Sequence, residues 1–182
     1  MSTLLLTFRN IVHYLLSKGS QSNVVNENGA TALYIGMLIQ YETRWHIASQ
    51  EGHLEVVKIL IEHGAEIEAI YKDGYTPLYI ASQNGRLDVV EYLISQQANI
   101  NMSCHHGSSP LYIATQQGQL DVVNLLLQKG ANAEATKSGF TPFYVACRNG
   151  HLEVAKTLLE HGVDIEASDG DGSTPLYVAS QK

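Results

Sequence analysis

The 182-residue chain is 45% hydrophobic and carries a formal net charge of -7. This apolar content is enough for an ordinary folded core, and the length favours a single domain. The acidic balance, together with the lack of any run of lysine or arginine, argues against a nucleic-acid partner. Cys104 and Cys147 are too few for a disulfide framework, so the composition favours a reducing compartment.

The N-terminal sequence does not read as a targeting signal. Leu4-Leu5-Leu6 has no basic region before it, and Arg9 interrupts the apolar run before it reaches the length of a signal-peptide core. No stretch of the chain reaches the ~18 apolar residues that a membrane helix needs. We therefore expect a cytoplasmic or nuclear protein that is neither secreted nor inserted into a membrane.

We expect the first residues to form part of a repeated unit. Residues 11–19 read as the second helix of a helix pair, so residues 1–27 are predicted to form a partial repeat. The next unit, residues 28–72, starts a helix at Thr31 and starts it again at Thr43, 12 residues later. Twelve residues leave the second start about 120° further round a helix, so one straight helix cannot bury both.

We therefore predict a break in this helix near Gly36 or between Tyr41 and Thr43. The spacing from Thr43 to Gly52 is the normal one, so the repeat continues in register after the break. Two explanations of the extra 12 residues stay open: a functional insertion, or an artefact of gene prediction or recombination.

Residues 73–94 are the best-formed unit, a turn followed by two short helices. Thr76 is a good N-cap, and Pro77 suits the first position of a helix, where its missing N–H costs nothing. Gly85 ends that helix because glycine adopts the left-handed conformation without strain. The second helix places one apolar face toward the core with Val89, Val90, Leu93 and Ile94. Neither helix can bury its apolar face alone, so the unit requires stacked neighbours.

The prolines give the period of the repeat. Their successive spacings are 33, 32 and 33 residues, and they stand at Pro77, Pro110, Pro142 and Pro175. The one missing residue lies in the turn between Gly130 and Pro142, because a turn can absorb a deletion that would rotate the face of a helix. The period predicts three full repeats and a truncated one, at residues 73–105, 106–137, 138–170 and 171–182.

These motifs resemble those of the ankyrin repeat family. The family's Thr-Pro-Leu-x-x-Ala step recurs from Thr76 to Ala81 and from Thr174 to Ala179, and its Gly-His-Leu-x-Val-Val step stands at residues 52–57. The resemblance covers nearly the whole chain. It implies an all-α solenoid in which each repeat is a helix-turn-helix unit with a short β-hairpin-like loop.

Two departures from the family pattern concern single positions. Tyrosine replaces the usual histidine after the Thr-Pro-Leu step, at Tyr79, Tyr112, Tyr144 and Tyr177. We expect each ring to be buried with its hydroxyl at the edge of the core. Gln97 stands where glycine closes the other second helices, and a left-handed glutamine there would cost ~1 kcal/mol and loosen that helix end.

The sequence contains no catalytic motif that we can identify. It has no nucleophile elbow, Walker loop or zinc-protease motif. Residues 169–173 look like a calcium or phosphate loop but lack the glutamate that a calcium loop needs at its far end, so we interpret them as a turn. Cys104-His105-His106 lacks the paired spacing of a structural zinc site. We therefore expect no enzyme activity, no metal and no cofactor.

The resemblance also implies where a partner would bind. Ankyrin repeats bind partners on a concave face lined by the turn tips and the exposed side of the first helices. On this sequence the tip positions are Tyr71, Lys72, Tyr75, His105, His106, Lys137, Phe140, Asp169 and Asp171. The helix positions are Gln50, Glu51, Gln83, Asn84, Arg86, Gln116, Gln117, Gln119, Arg148, Asn149 and His151. Tyr75 and Phe140 are the expected anchors, because an aromatic at a turn tip has no obvious core role. The alternative is that these are ordinary solvated turn residues.

We therefore expect a scaffold that binds a partner protein and has no catalysis of its own. The alternative is a regulatory or substrate-recruiting fragment of a larger enzyme, ubiquitin-ligase adaptor or channel. It is suggested by the last repeat, which stops at Lys182 without a second helix or a polar capping repeat. Self-association through such an uncapped end is a further expectation. The partner cannot be identified from sequence, because one scaffold serves unrelated ligands.

Overall fold

The structure is a computed structural model that describes residues 48–62 and 65–181. The predicted partial repeat at residues 1–27 lies outside the described residues. The doubled helix start at Thr31 and Thr43, with its predicted break, also lies outside them. All described elements belong to the repeats that follow this insertion.

Eight helices follow one another in the described part of the chain. They are α1 (Leu54–Glu62), α2 (Pro77–Gln83), α3 (Leu87–Ser95), α4 (Pro110–Gln116), α5 (Leu120–Gln128), α6 (Pro142–Asn149), α7 (Leu152–Glu160) and α8 (Pro175–Ala179). Residues 48–51 are also helical. None of the described helices has both the length and the apolar content needed to cross a membrane.

The helices form two layers. The first-helix layer contains α2, α4, α6 and α8 side by side, and the second-helix layer contains α1, α3, α5 and α7. Within each repeat the two layers also pack on each other, α2 on α3, α4 on α5 and α6 on α7. The described ranges contain two isolated β-bridges and no strand, so the predicted all-α solenoid is confirmed.

Each complete first helix begins at a Ser/Thr–Pro pair, as predicted. The backbone N–H of Tyr79 donates to Thr76 Oγ1 at 3.1 Å, and that of Tyr112 donates to Ser109 Oγ at 3.1 Å. The proline after each cap has no N–H to leave unpaired at the first helical position. Losing such a cap typically costs ~1 kcal/mol, so these bonds fix where the helices start.

Apolar side chains from both layers form the core. Leu78 and Leu111 in the first-helix layer are 1% exposed, and Leu93 and Leu126 in the second-helix layer are fully buried. Burying one such side chain contributes about 1.5–3 kcal/mol. Because these leucines occupy equivalent positions in successive repeats, each repeat supplies one wall of its neighbour's core.

The last described helix is less buried than its equivalents. In α8, Leu176 and Tyr177 are 78% and 56% exposed. Leu111 and Tyr112, at the same positions of α4, are 1% and 5% exposed. The difference arises because α8 packs chiefly on α6, whereas α4 packs on α2, α5 and α6.

The loops after the second helices are tied from repeat to repeat. The Asn101 side chain accepts a hydrogen bond from the backbone N–H of Asn132 at 2.9 Å. One repeat later, Glu134 Oε1 accepts a hydrogen bond from the backbone N–H of Asp164 at 2.9 Å. Asn132 and Asp164 each accept a further bond from the N–H two residues on in their own loop. Each loop is therefore held in place by a side chain of the preceding repeat.

Gln97 adopts the left-handed conformation that its position predicts, with a φ of +69°. The helix closes there as it does elsewhere: the Ala98 N–H donates to Leu93 O at 3.0 Å, as the Ala131 N–H donates to Leu126 O at 2.9 Å. The closing hydrogen bonds are kept, so the expected loosening of this helix end is not observed in them. The cost is confined to the strained backbone of Gln97 itself.

Two of the turn tips close as miniature hairpins. Tyr71 and Tyr75 exchange two backbone hydrogen bonds of 3.0 Å across three residues, whereas Lys137 and Phe140 exchange two of 3.0 Å across two residues. The two residues inside the shorter tip have φ values of +54° and +86°, as a tight two-residue hairpin turn requires. The residue missing from the period is therefore absorbed in this turn, as predicted.

Adjacent tips are joined through the backbone. The N–H of His105 donates to Asp73 O at 2.8 Å. This contact needs Gly74, which has a φ of +88° and whose absent Cβ would lie 2.8 Å from His105 N. The His105 ring lies over Gly74, yet His105 and His106 both remain exposed. Successive tips are thus in direct contact through the space that one glycine leaves.

Gly74 should tolerate alanine much less well than Gly107, which stands at the same position of the next tip. Gly107 has a φ of +78°, but nothing lies within 4 Å of the place where its Cβ would be. Gly107→Ala should lower the free energy of unfolding by about 1–2 kcal/mol through backbone strain alone. Gly74→Ala should cost a further ~1–3 kcal/mol, because its methyl overpacks against the neighbouring tip. Urea denaturation measures both values, and equal destabilisation would mean that the tips are not in contact.

Candidate binding surface

The tyrosines at the third position of the first helices lie beneath the tips. Tyr79, Tyr112 and Tyr144 are 4%, 5% and 4% exposed, so the prediction that their rings are buried is confirmed for these three. The Tyr144 hydroxyl donates to Asp169 Oδ2 at 2.9 Å, and the Tyr79 hydroxyl donates to Ser108 Oγ at a longer 3.5 Å. Burial raises the pKa of Tyr79 to about 12, so this phenol is neutral at physiological pH.

Tyr75 and Phe140 pack back onto these tyrosines. Each is half-buried: the Tyr75 ring stacks on Tyr79 with centroids 4.8 Å apart, and the Phe140 ring lies 5.0 Å from that of Tyr144. Both rings extend the hydrophobic clusters beneath the tips. The expectation that these aromatics have no core role is therefore wrong, because each tip folds its aromatic residue onto the first helix. Their role as anchors for a partner stays a prediction.

The ends of the first helices are tied to the repeat that follows. In each case a side chain just before a second helix hydrogen-bonds with a main-chain carbonyl of the preceding first helix. The pairs are Arg86 Nε with Gln50 O at 2.7 Å, Gln119 Nε2 with Gln83 O at 3.3 Å, and His151 Nε2 with Gln116 O at 3.1 Å. Glycine makes room for the incoming side chain, since a Cβ on Gly52 would lie 2.8 Å from Arg86 Cδ.

Four predicted binding residues are therefore engaged within the protein. Arg86 and His151 are half-buried and contact the preceding repeat, as described above. Asn84 Nδ2 donates to Ile80 O at 2.8 Å, and Asn149 Nδ2 donates to the same Gln116 carbonyl at 3.0 Å. These positions hold the helix ends together, in contrast to the expectation that they lie on a freely exposed face.

The remaining predicted residues differ in exposure. The fully exposed ones are Lys72, His105, His106, Gln117 and Arg148. The half-buried ones are Tyr71, Tyr75, Gln83, Asn84, Arg86, Gln116, Lys137, Phe140, Asn149 and His151. Sequence analysis missed Asn101 and Glu134, which tie the outer loops together. Their signal was available, because polar residues recur at this position of the repeat.

The cysteines and histidines do not assemble into a metal site. Within the described residues, no group of three His, Cys, Asp or Glu side chains is close enough to hold an ion. Cys104 is buried in a cluster with Tyr79 and Ile113. Cys147 is half-buried, and burial raises the pKa of its thiol, which disfavours the reactive thiolate. Both cysteines therefore serve as small apolar residues.

The last tip is organised around Asp169. Its Oδ1 accepts the backbone N–H groups of Asp171 at 3.0 Å and Ser173 at 2.8 Å, and its Oδ2 accepts the Tyr144 hydroxyl. These bonds, led by the one from Ser173, hold the pKa of Asp169 below its usual value of 3.8. The carboxylate thus binds donors of its own protein, and residues 169–173 form the turn that the sequence predicts.

Asp169 should make stability depend on pH in the acidic range. Because its pKa is lower in the folded state, its contribution is fully present above the unfolded value, near 3.8, and is lost as the pH falls through the folded value. We expect the free energy of unfolding to fall more steeply below this value in the wild type than in Asp169→Asn. Asp171→Asn, a control in the same turn, should follow the wild type. Urea denaturation at each pH gives the profiles, and an unchanged profile in Asp169→Asn would rule out this role.

Comparisons with known proteins agree with this architecture. A family model described as "Ankyrin repeats (3 copies)" matches residues 5–103 and 45–137, and one described as "Ankyrin repeats (many copies)" matches residues 126–179. A protein from Rickettsia felis that is described as an ankyrin repeat protein is 39% identical over 71 residues. Those residues are 39% of this chain and 28% of that protein, so the match spans well under half of either. By its family matches and its fold, the chain belongs to the ankyrin repeat family.

Proposed function

We propose that this chain binds a partner protein on a concave face lined by its turn tips and the exposed side of its first helices. Ankyrin repeats generally mediate protein–protein interaction and are typically non-catalytic modules. The observation that carries the proposal is the backbone hydrogen bond from His105 to Asp73. It joins successive tips, so the exposed side chains of Lys72, His105 and His106 are held on one framework.

A rigid face of this kind favours binding, because a preorganised surface loses little conformational entropy on association. The framework continues to the helix ends, where Gln117 and Arg148 are exposed after and within the last turns of α4 and α6. Arginine is enriched among residues that dominate interface energies, and glutamine both donates and accepts hydrogen bonds. Such a surface suits a partner segment with unpaired polar groups of its own.

A second candidate is that the chain recruits a partner for a larger enzyme, ubiquitin-ligase adaptor or channel. The match to the Rickettsia felis protein covers only 28% of that protein, which favours an array of this kind acting within a longer chain. Both candidates use the same face. They differ in what the bound partner is brought to.

Site-specific photo-crosslinking tests the proposal. A photoreactive amino acid at His106 or Gln117 should capture a discrete partner protein in cells that express this chain, because both positions lie on the proposed face. The same amino acid at Gln128, an exposed position in the last turn of α5, should capture none. Capture from Gln128 but from neither of the other two positions would show that the partner binds elsewhere.

A further inference from the structure

We propose that the proposed face recognises a carboxylate of its partner, bound between the Lys137 ammonium, the Arg148 guanidinium and the Tyr112 hydroxyl. This inference rests on the proposed function, because it names the chemistry of a partner on that face. The three residues, called the basic site here, come from a first helix, the tip that follows it and the end of the next first helix.

The three groups of the basic site lie close together. Lys137 Nζ is 5.7 Å from the centroid of the Tyr112 ring, which is a cation–π distance. Tyr112 packs with Tyr144 in one buried cluster, and Arg148 follows Tyr144 by about one turn of α6. Burial raises the pKa of Tyr112, and the positive charge of Arg148 opposes that rise, as a guanidinium near the hydroxyl must.

None of the three groups has an acceptor within the described part of the protein. Among the residues that the structure describes, neither Lys137 nor Arg148 has a carboxylate oxygen within 4.0 Å, and the Tyr112 hydroxyl donates to no other residue. Lys58 and Lys156 differ, since each lies 2.8 Å from a glutamate on its own helix. Three donors without an acceptor therefore meet at one place on the surface.

The Tyr112 hydroxyl also differs from those of the equivalent tyrosines. The Tyr79 hydroxyl donates to Ser108, and the Tyr144 hydroxyl donates to Asp169. Asp169 is the carboxylate of the neighbouring tip, but its oxygens already accept the Tyr144 hydroxyl and backbone N–H groups. This carboxylate is therefore not paired with the basic site.

Arg148 is an exception within the repeat. The equivalent position in the other repeats is an uncharged amide, at Gln50, Gln83, Gln116 and Gln181. Arg148 therefore adds a charge to a row of neutral side chains, beside the charge of Lys137. In a chain of net charge -7, two cations without an acidic neighbour attract an acidic group to this place, while the surrounding acidic surface repels it.

A carboxylate matches these donors. Its two oxygens accept several hydrogen bonds at once, so it can bind an ammonium, a guanidinium and a phenol together. Hydrogen bonds between a cation and a carboxylate are about twice as strong as neutral ones, so an amide of the same shape would bind less tightly. The expected ligand is an aspartate or glutamate in a segment of the partner protein.

Two short synthetic peptides test this inference on the full chain. One alternates glutamate with serine and the other alternates glutamine with serine, so they differ only in charge. At low salt, only the glutamate peptide should shift the NMR signals of the Arg148 Nε–H and the Lys137 side chain. Lys137→Gln and Arg148→Gln should each weaken its binding about tenfold, and Tyr112→Phe should weaken it less. The control Lys129→Gln removes an exposed lysine at the end of α5 and should leave binding unchanged.

Equal binding of the two peptides would overturn the inference, and so would shifts at Lys58 or Lys129 as large as those at the basic site. A phosphoserine peptide that binds where the glutamate peptide does not would also overturn it, by assigning a phosphate instead. The proposed function is separable from this result. A partner crosslinked through Gln117 that binds all three variants as tightly as the wild type would keep the face and reject the carboxylate.

Discussion

No repeat of this protein can bury its apolar face without a neighbour, and the rest of the structure follows from that constraint. The described helices have at most nine residues, which is too short for a stable isolated helix in water. Leu78 and Leu111 become core residues because successive first helices lie side by side. Stability is therefore shared among the interfaces between repeats, and a contact that keeps two repeats in register stabilises both.

Polar contacts cross between repeats at three levels. Backbone bonds join the tips, side chains join the ends of the first helices, and side chains join the outer loops. Contacts at all three levels restrict the tilt of one repeat against the next, so the exposed groups keep a constant spacing. The basic site depends on this, because Tyr112, Lys137 and Arg148 come from successive elements and must hold their separation to bind one small group.

Much of this fold could be predicted because its signals are local. The Ser/Thr–Pro pairs mark the helix starts, and the spacing of the prolines located the missing residue in the turn between Lys137 and Phe140. The contacts between repeats could not be predicted in the same way. Arg86, Gln119 and His151 bind equivalent carbonyls, yet they share no residue type that a pattern could detect. The candidate surface was predicted only as a set of positions, since sequence does not show which polar groups already have partners inside the protein.

Amide hydrogen exchange tests most directly the claim that neighbouring repeats hold each other in register. The N–H groups of Asn132 and Asp164 lie in exposed loops outside the helices, and each donates to a side chain of the preceding repeat, Asn101 and Glu134 respectively. Both amides should exchange far more slowly than those of an unstructured peptide, and Asn101→Ala should release the Asn132 amide while that of Asp164 stays protected. Exchange of both amides at the unstructured rate in the wild type would contradict the claim.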